Sequence, residues 1–121
     1  MAKNKQPEFE LQCRVVDYLT SLPCVGFFHA SPNGSKLHGS IQQRQRTGAR
    51  LKRAGMAAGY PDLTLYASGG RVGHLELKSE RGVLSDSQKV VAQILANLGH
   101  HYAVVKHTDH VQAALRDWGR L

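Results

Sequence analysis

Leu11, Val15, Leu19 and Leu22 recur at spacings of four, four and three, with Val16 and Tyr18 widening the stripe. That spacing predicts an amphipathic helix from Glu8 to about Leu22, closed by Pro23. Val25 to Ala30 is short, apolar and aromatic, and reads as a strand. Ser31-Pro32-Asn33-Gly34-Ser35 is a turn cluster, and residues 36–43 are polar without a pattern. A basic segment from about Gln42 to Ala54 reads as a helix with Gly55 as its stop. Asp62 to Ala67 and Val72 to Ser79 read as two strands joined through Ser68-Gly69-Gly70 in a hairpin. Ser85 is the N-cap of a helix to about Leu98, carrying Val90, Val91, Ile94, Leu95 and Leu98 on one side and followed by Gly99. Tyr102 to Val105 is the next strand, and Thr108 caps a last helix through Val111, Ala114, Leu115 and Trp118. The resulting order, α β (α) β β α β α, predicts one mixed sheet with helices on its faces.

Length and composition fit a single soluble domain: 121 residues, 41% hydrophobic and 21% charged. No apolar run reaches the roughly 18 residues of a membrane span, and residues 1–7 read as a loose tail, not a secretion signal. Cys13 and Cys24 make no disulfide framework and read as buried free thiols of a reducing compartment. Charge changes the picture more. The net charge is +7, and no acidic residue occurs between Asp17 and Asp62. That stretch holds Lys36, Arg44, Arg46, Arg50, Lys52 and Arg53, the footprint expected of a polyphosphate partner such as nucleic acid. The competing reading is a solvated basic face.

Candidate chemistry gathers around the hairpin. Asp62 follows Gly59-Tyr60-Pro61, and Glu76 and Lys78 sit two apart in the next strand, so the latter two project to the same face. A carboxylate between Leu75 and Leu77 needs a partner. A divalent ion held by Asp62 and Glu76, with Lys78 beside an attacking water, provides one. Mg²⁺ takes one or two carboxylates and keeps several waters, and such an ion activates water against a phosphate. The acidic-x-Lys triplet alone arises about half a time by chance in a chain of this composition, and by itself favours a same-face salt bridge. Its weight comes from the turn, the hairpin and the basic charge together. Glu8 lies on the core-facing side of the first helix and adds a third acid, although a carboxylate there is also favoured by the helix dipole. Glu10 falls on the solvent side.

Taken together, these residues resemble a stand-alone VRR-NUC domain of the PD-(D/E)xK nuclease superfamily. The resemblance runs over residues 8–118. It rests on Glu8 to Gln12 with Val15 to Leu19, on His29 to Gly34, and on Gly55. It continues through Gly59-Tyr60-Pro61-Asp62-Leu63, Leu75-Glu76-Leu77-Lys78, Gly82-Val83-Leu84-Ser85 with Gln88, and Gly99. It implies a single restriction-endonuclease-like α/β domain over 8–121, a mixed β-sheet flanked by helices, behind a flexible tail of residues 1–7. It implies Asp62 and Glu76 as ligands of Mg²⁺ or Mn²⁺, with the backbone carbonyl of Leu77 completing the inner sphere. It further implies Lys78 orienting the water or stabilising the transition state, Glu8 holding a water or second ion, and Gln88 lining the same site. From the residues alone, Gln88 is only a polar side chain in a first helical turn.

The activity so implied is metal-dependent hydrolysis of DNA, selective for branched or four-way (Holliday) junctions, in replication, repair or phage genome processing. The alternative is a nucleic-acid-binding module that kept the fold without catalysis. Asn33, Lys36, Arg44, Arg46, Arg50, Lys52 and Arg53 are the expected DNA contacts. A homodimer is expected, because paired incisions need two sites, with apolar contact from the second helix region or from Val111, Leu115 and Trp118. The expected location is the cytoplasm of a bacterium, or of one carrying a phage. No Walker-type loop is present, so no nucleotide cofactor is expected. The pairs His100-His101 and His107/His110 fall at opposite ends of one strand and do not suggest zinc. RNA stands as a third partner, although no aromatic stacking set of the RRM kind is visible with aromatics at 7%.

Overall fold

A computed structural model describes residues 7–31 and 39–119. Its elements are α1 (Pro7–Thr20), β1 (Phe27–Ala30), α2 (Ile41–Arg53), β2 (Leu63–Ala67), β3 (Arg71–Leu77), α3 (Asp86–Asn97), β4 (His101–Val105) and α4 (Thr108–Asp117). The strands form one sheet in the order β1-β2-β3-β4. β1, β2 and β3 are antiparallel neighbours, whereas β4 joins β3 in parallel through α3, as a connection of that length requires. The predicted mixed α/β sheet with flanking helices is the one observed. Among the described residues, no helix is long and apolar enough to cross a membrane.

Alternation along the strands gives the sheet two unlike faces. On one, Leu63 and Leu65 of β2, Leu75 and Leu77 of β3 and Val105 of β4 meet Leu11, Val15 and Leu19 of α1 and Val111 and Leu115 of α4. This dry layer is the core. On the other face the buried residues are Thr64, His74 and Glu76, and α3 packs there through Leu95 and its first turn. Gly73 points its missing side chain at the dry face, where a Cβ would fall inside the contact surface of the Trp118 ring. Trp118 in turn stacks on His101 with ring centroids 5.2 Å apart.

Several expectations change. Cys13 and Cys24 are exposed, not buried: Cys13 lies two residues from both Leu11 and Val15, about 200° around the helix, and Cys24 follows its end. Val111 and Leu115 belong to the core and are unavailable for a dimer contact. The last helix is capped by His107, without a side-chain bond, and Thr108 is its first residue. The stripe assigned to α3 splits, because Leu95 is buried whereas Val90, Ile94 and Leu98 are exposed. Asn33 and Lys36 lie outside the described residues.

Adding a methyl group at Gly73 must displace Trp118. Gly73→Ala is expected to lower stability by about 1–3 kcal/mol, the usual range for overpacking. Combined with Trp118→Leu, the destabilisation should be clearly smaller than the sum of the two single effects, as read from urea denaturation of all four proteins.

Candidate active site

The wet face of β3 ends at the residues singled out by spacing. Asp62 stands just before β2, and Lys78 just past β3. Lys78 still continues the ladder, its N–H donating to Val105 O at 2.9 Å. The turn that delivers Asp62 depends on Gly59. Its φ is +86°, and a Cβ there would collide with the backbone of Ser87 and Gln88. Only glycine satisfies both conditions, so the turn lies directly against the start of α3. Pro61 behind it is fully buried.

Asp62 Oδ2 accepts the Leu77 N–H at 2.8 Å, which ties the hairpin's start to its far strand. Glu76 is 2% exposed. Its Oε2 accepts from Gln88 Nε2 at 3.0 Å and lies 3.6 Å from Lys78 Nζ. The Lys78 stem lies against Gly82, where a Cβ would come within 3.3 Å of it. Gln88 is doubly committed. Its backbone N–H donates to Ser85 Oγ at 3.2 Å and its Oε1 accepts the Ser85 N–H at 2.8 Å, closing a capping box. The remaining amide N–H is thereby aimed at Glu76. Glu8 remains exposed at the rim, where its Oε2 accepts the Ser79 N–H at 3.4 Å. Its charge reaches Asp62, but it does not join the other two acids in a cluster. Among the described residues no group of three or more His, Cys, Asp or Glu is gathered as a metal cage.

Electrostatics at this point disfavour two charged carboxylates side by side. Burial, then the Asp62 charge, pushes the Glu76 carboxyl up to about 8. Burial also raises Asp62, against the opposing Leu77 N–H. Glu76 Oε1 and the Tyr102 hydroxyl are the two buried side-chain polar atoms with no hydrogen-bond partner among the described residues. Tyr102 opposes His74 in the β3–β4 ladder. Its phenol is pushed up to about 12 by burial, then by the charges of Glu76 and Asp62. Tyr102 is the neighbour that sequence spacing missed, lying 26 residues from Glu76 in the chain.

The same face carries a chain of polar contacts behind the acids. Tyr60 and Thr64 share a hydrogen bond at 3.2 Å, Thr64 and His74 Nδ1 one at 3.0 Å, and His74 Nε2 and His100 Nδ1 one at 2.8 Å. Burial, then the charge of His100, pushes His74 down to about 4, so it sits there as a neutral imidazole. His100 is thus turned toward the wet face while His101 stacks on Trp118, and the two do not converge on one ion.

The donor set suits a hard divalent cation: two adjacent carboxylates, one with a buried oxygen that no hydrogen bond to another residue's N–H or O–H satisfies, the other oriented by the Leu77 N–H. Mg²⁺ and Mn²⁺ take oxygen ligands of this kind and fill the other positions with water. The basic helix α2 stands apart from this construction. None of its residues is buried, and Arg44, Arg46, Arg50, Lys52 and Arg53 all face solvent.

No protein-family model and no curated protein matches the sequence. Among solved structures, one described as "VRR_NUC domain protein" is similar, with a TM-score of 0.71 at 25% identity, covering 95% of this chain and 89% of that one.

Because the fold favours protonated Glu76, its contribution to stability is complete below about pH 4.5 and is lost as the pH rises through about 8. Glu76→Gln removes that slope and keeps an acceptor for Gln88. In EDTA at pH 8, the variant should melt about 4 °C or more above the parent, the shift expected for about 1 kcal/mol in a domain of this size. At pH 5 the two should nearly coincide. Differential scanning fluorimetry across that pH range checks the expectation.

Proposed function

We propose that this chain, similar in fold to a solved VRR_NUC domain protein, is a metal-dependent DNA endonuclease acting through the Asp62–Glu76 site. The observation that carries this reading is the buried, half-satisfied carboxylate of Glu76 beside Asp62 and the Lys78 ammonium. Such an arrangement is costly in its charged form unless a cation completes it.

Asp62 and Glu76 would hold Mg²⁺ or Mn²⁺, with the Leu77 carbonyl as the third protein ligand and Glu8 bearing on an outer water or second ion. Bound there, the ion would lower the pKa of a water and offset charge on the phosphate under attack. The protein's own groups do the positioning. Gln88 fixes Glu76 through the capping box. Leu77 fixes Asp62 through its N–H. Lys78, held near Glu76 Oε2, places a compact positive charge where an attacking water loses its proton and the phosphorane oxygens gain charge. Hydrolysis then breaks one P–O bond and leaves a hydroxyl and a phosphate end.

The basic helix supports DNA as the substrate. A helix with no buried face gains little from packing, whereas five exposed cations in a chain of net charge +7 gain directly from phosphates. Selectivity for branched DNA and pairing of two copies belong to the same proposal. With Val111 and Leu115 in the core, exposed Val90 and Ile94 of α3 with Leu98 at its C-cap, or exposed Ile41 and Leu51 of α2, would supply the apolar contact for such a pair.

Labelled duplex, nicked, flapped and four-way DNA incubated with Mg²⁺, Mn²⁺ or EDTA tests the reading directly. Cleavage should require the cation and vanish in Glu76→Gln. Lys78→Ala should slow cleavage by about 10²-fold or more while still binding DNA, the scale for removing a charge stabiliser. Lys78→Arg should not restore it. Paired nicks across a four-way junction would show two sites acting together. Binding without cleavage under every cation would leave the chain a DNA-binding module.

For α2, replacing Arg46 and Arg50 by Glu should weaken DNA binding for all sequences. It should also flatten the dependence of log K on log salt by about two or more, because each phosphate that is no longer neutralised lowers the slope by about one. Fluorescence anisotropy between about 50 and 200 mM salt, the range over which such a dependence is usually resolved, provides the slope.

A further inference from the structure

The wet face does not stop at Glu76. Going back along β3 and across to β2 and β1, it leads through His74 and Thr64 to Tyr66, Phe27 and His29, since Tyr66 opposes Val72 and Phe27, and Thr64 opposes His74 and His29. The three rings form one cluster. Tyr66 and His29 stack with centroids 5.9 Å apart and planes 12° from parallel. Phe27 lies 5.9 Å from Tyr66 and 6.5 Å from His29. The Tyr66 hydroxyl shares a 3.3 Å hydrogen bond with His29 Nε2, which fixes the pair. None is buried: Phe27 is 63% exposed, Tyr66 37%, and His29 is exposed as well.

Aromatic rings held rigidly in solvent on a sheet, beside a site for phosphates, have the chemistry that nucleobases recognise. Charge points the same way, because β1 belongs to the stretch from Asp17 to Asp62 that contains no acid. Tyr66 lies four strand positions and one strand from Glu76, roughly 14 Å away. That distance corresponds to about four stacked nucleotides at about 3.4 Å each.

We propose that Phe27, His29 and Tyr66 form a stacking platform for unpaired bases of the DNA strand whose phosphate reaches the Glu76 site. The inference rests on the nuclease reading and adds to it a substrate class: DNA with a single-stranded arm next to the cleavage point. A fully paired duplex keeps its bases stacked on each other and offers the platform nothing. A flap or splayed junction offers it free π-faces.

The test uses 2-aminopurine, whose fluorescence falls on stacking, placed within the single-stranded arm of a flap. Binding is measured in EDTA so that no strand is cut. The full chain should quench the probe and prefer the flap to the duplex. Tyr66→Leu and Phe27→Leu, both at solvent-exposed positions, should each weaken flap binding about tenfold and abolish the preference over duplex. Tyr66→Phe, which keeps the ring, should restore quenching. Circular dichroism of each variant confirms the fold.

Absence of quenching by the parent chain, or quenching that survives both leucine variants, overturns the platform. So does a change in mass by light scattering in place of a change in quenching, which would make the cluster a contact between copies. Nuclease activity is assayed separately with Mg²⁺ or Mn²⁺ on the flap itself, beside nicked duplex and four-way DNA. Quenching without cleavage keeps the platform and removes the nuclease reading; cleavage without quenching does the reverse.

Discussion

Glu76 is a carboxylate placed in the middle of a sheet, and much of the surrounding structure exists to hold it there. Between Leu75 and Leu77, at 2% exposure, it is deprived of the water that would stabilise its charge. Three side chains answer it: Gln88 and Lys78 favourably, and Asp62 by repelling its charged form and hydrogen-bonding its protonated one. The Gln88 contact reaches furthest into the fold. Because its carbonyl oxygen is spent on the cap of α3, its amide can point one way only. The orientation of an acid on β3 is therefore tied to where a helix begins. That start can lie so close only because Gly59 leaves room for it. The glycine turn, the helix cap and the carboxylate are one mechanical unit.

The two sheet faces divide the work. Leucines and valines on the dry face supply the burial that stabilises a domain of this size. The wet face spends part of that stability on Thr64, His74 and Glu76, which are buried at a cost. Register couples the faces. A slip of β3 by one residue would turn Glu76 into the leucine core and Leu77 into the site. The dry face thus enforces the geometry of the wet one without touching it. Gly73, facing Trp118, is part of this enforcement, because its lack of a side chain lets the C-terminal end of α4 lie over the strand.

Local signals in the sequence carried well into three dimensions. Helical spacing in α1, the hairpin turn and the Ser85 cap all concern residues within a few positions of one another, and their elements formed within one or two residues of expectation. Asp62, Glu76 and Lys78 were legible for the same reason, being joined by one hairpin. Contacts set by strand order were not. Tyr102 comes within reach of the acids' charge only because β4 returns parallel to β3. Phe27 and His29 meet Tyr66 only because β1 pairs with β2, so a search for neighbouring aromatics in the chain could not find them. Helix faces were ambiguous where apolar residues exceed what one stripe needs. In α3 this placed Val90, Ile94 and Leu98 on the wrong side, and in α4 it offered core residues as surface. Gln88 was visible as polar, but its role depends on a cap and a sheet meeting.

The α2 helix is held together differently from the rest. With no buried residue, its thirteen residues lack the tertiary packing on which helices of that length usually depend. Local devices take over. Ser40 and Gln43 close a capping box at one end, with bonds of 2.7 and 3.1 Å. Arg50, Lys52 and Arg53 meet the negative end of the helix dipole at the other. The same cations also repel one another along the exposed faces, which offsets part of that gain. Phosphates placed between those side chains would relieve the repulsion and reinforce the dipole's partners together. On the proposed reading, a substrate would therefore order the element that grips it. The rigid carboxylate unit and the locally held basic helix then have separate tasks, one fixing where a bond breaks and the other adapting to the shape of the nucleic acid that presents it.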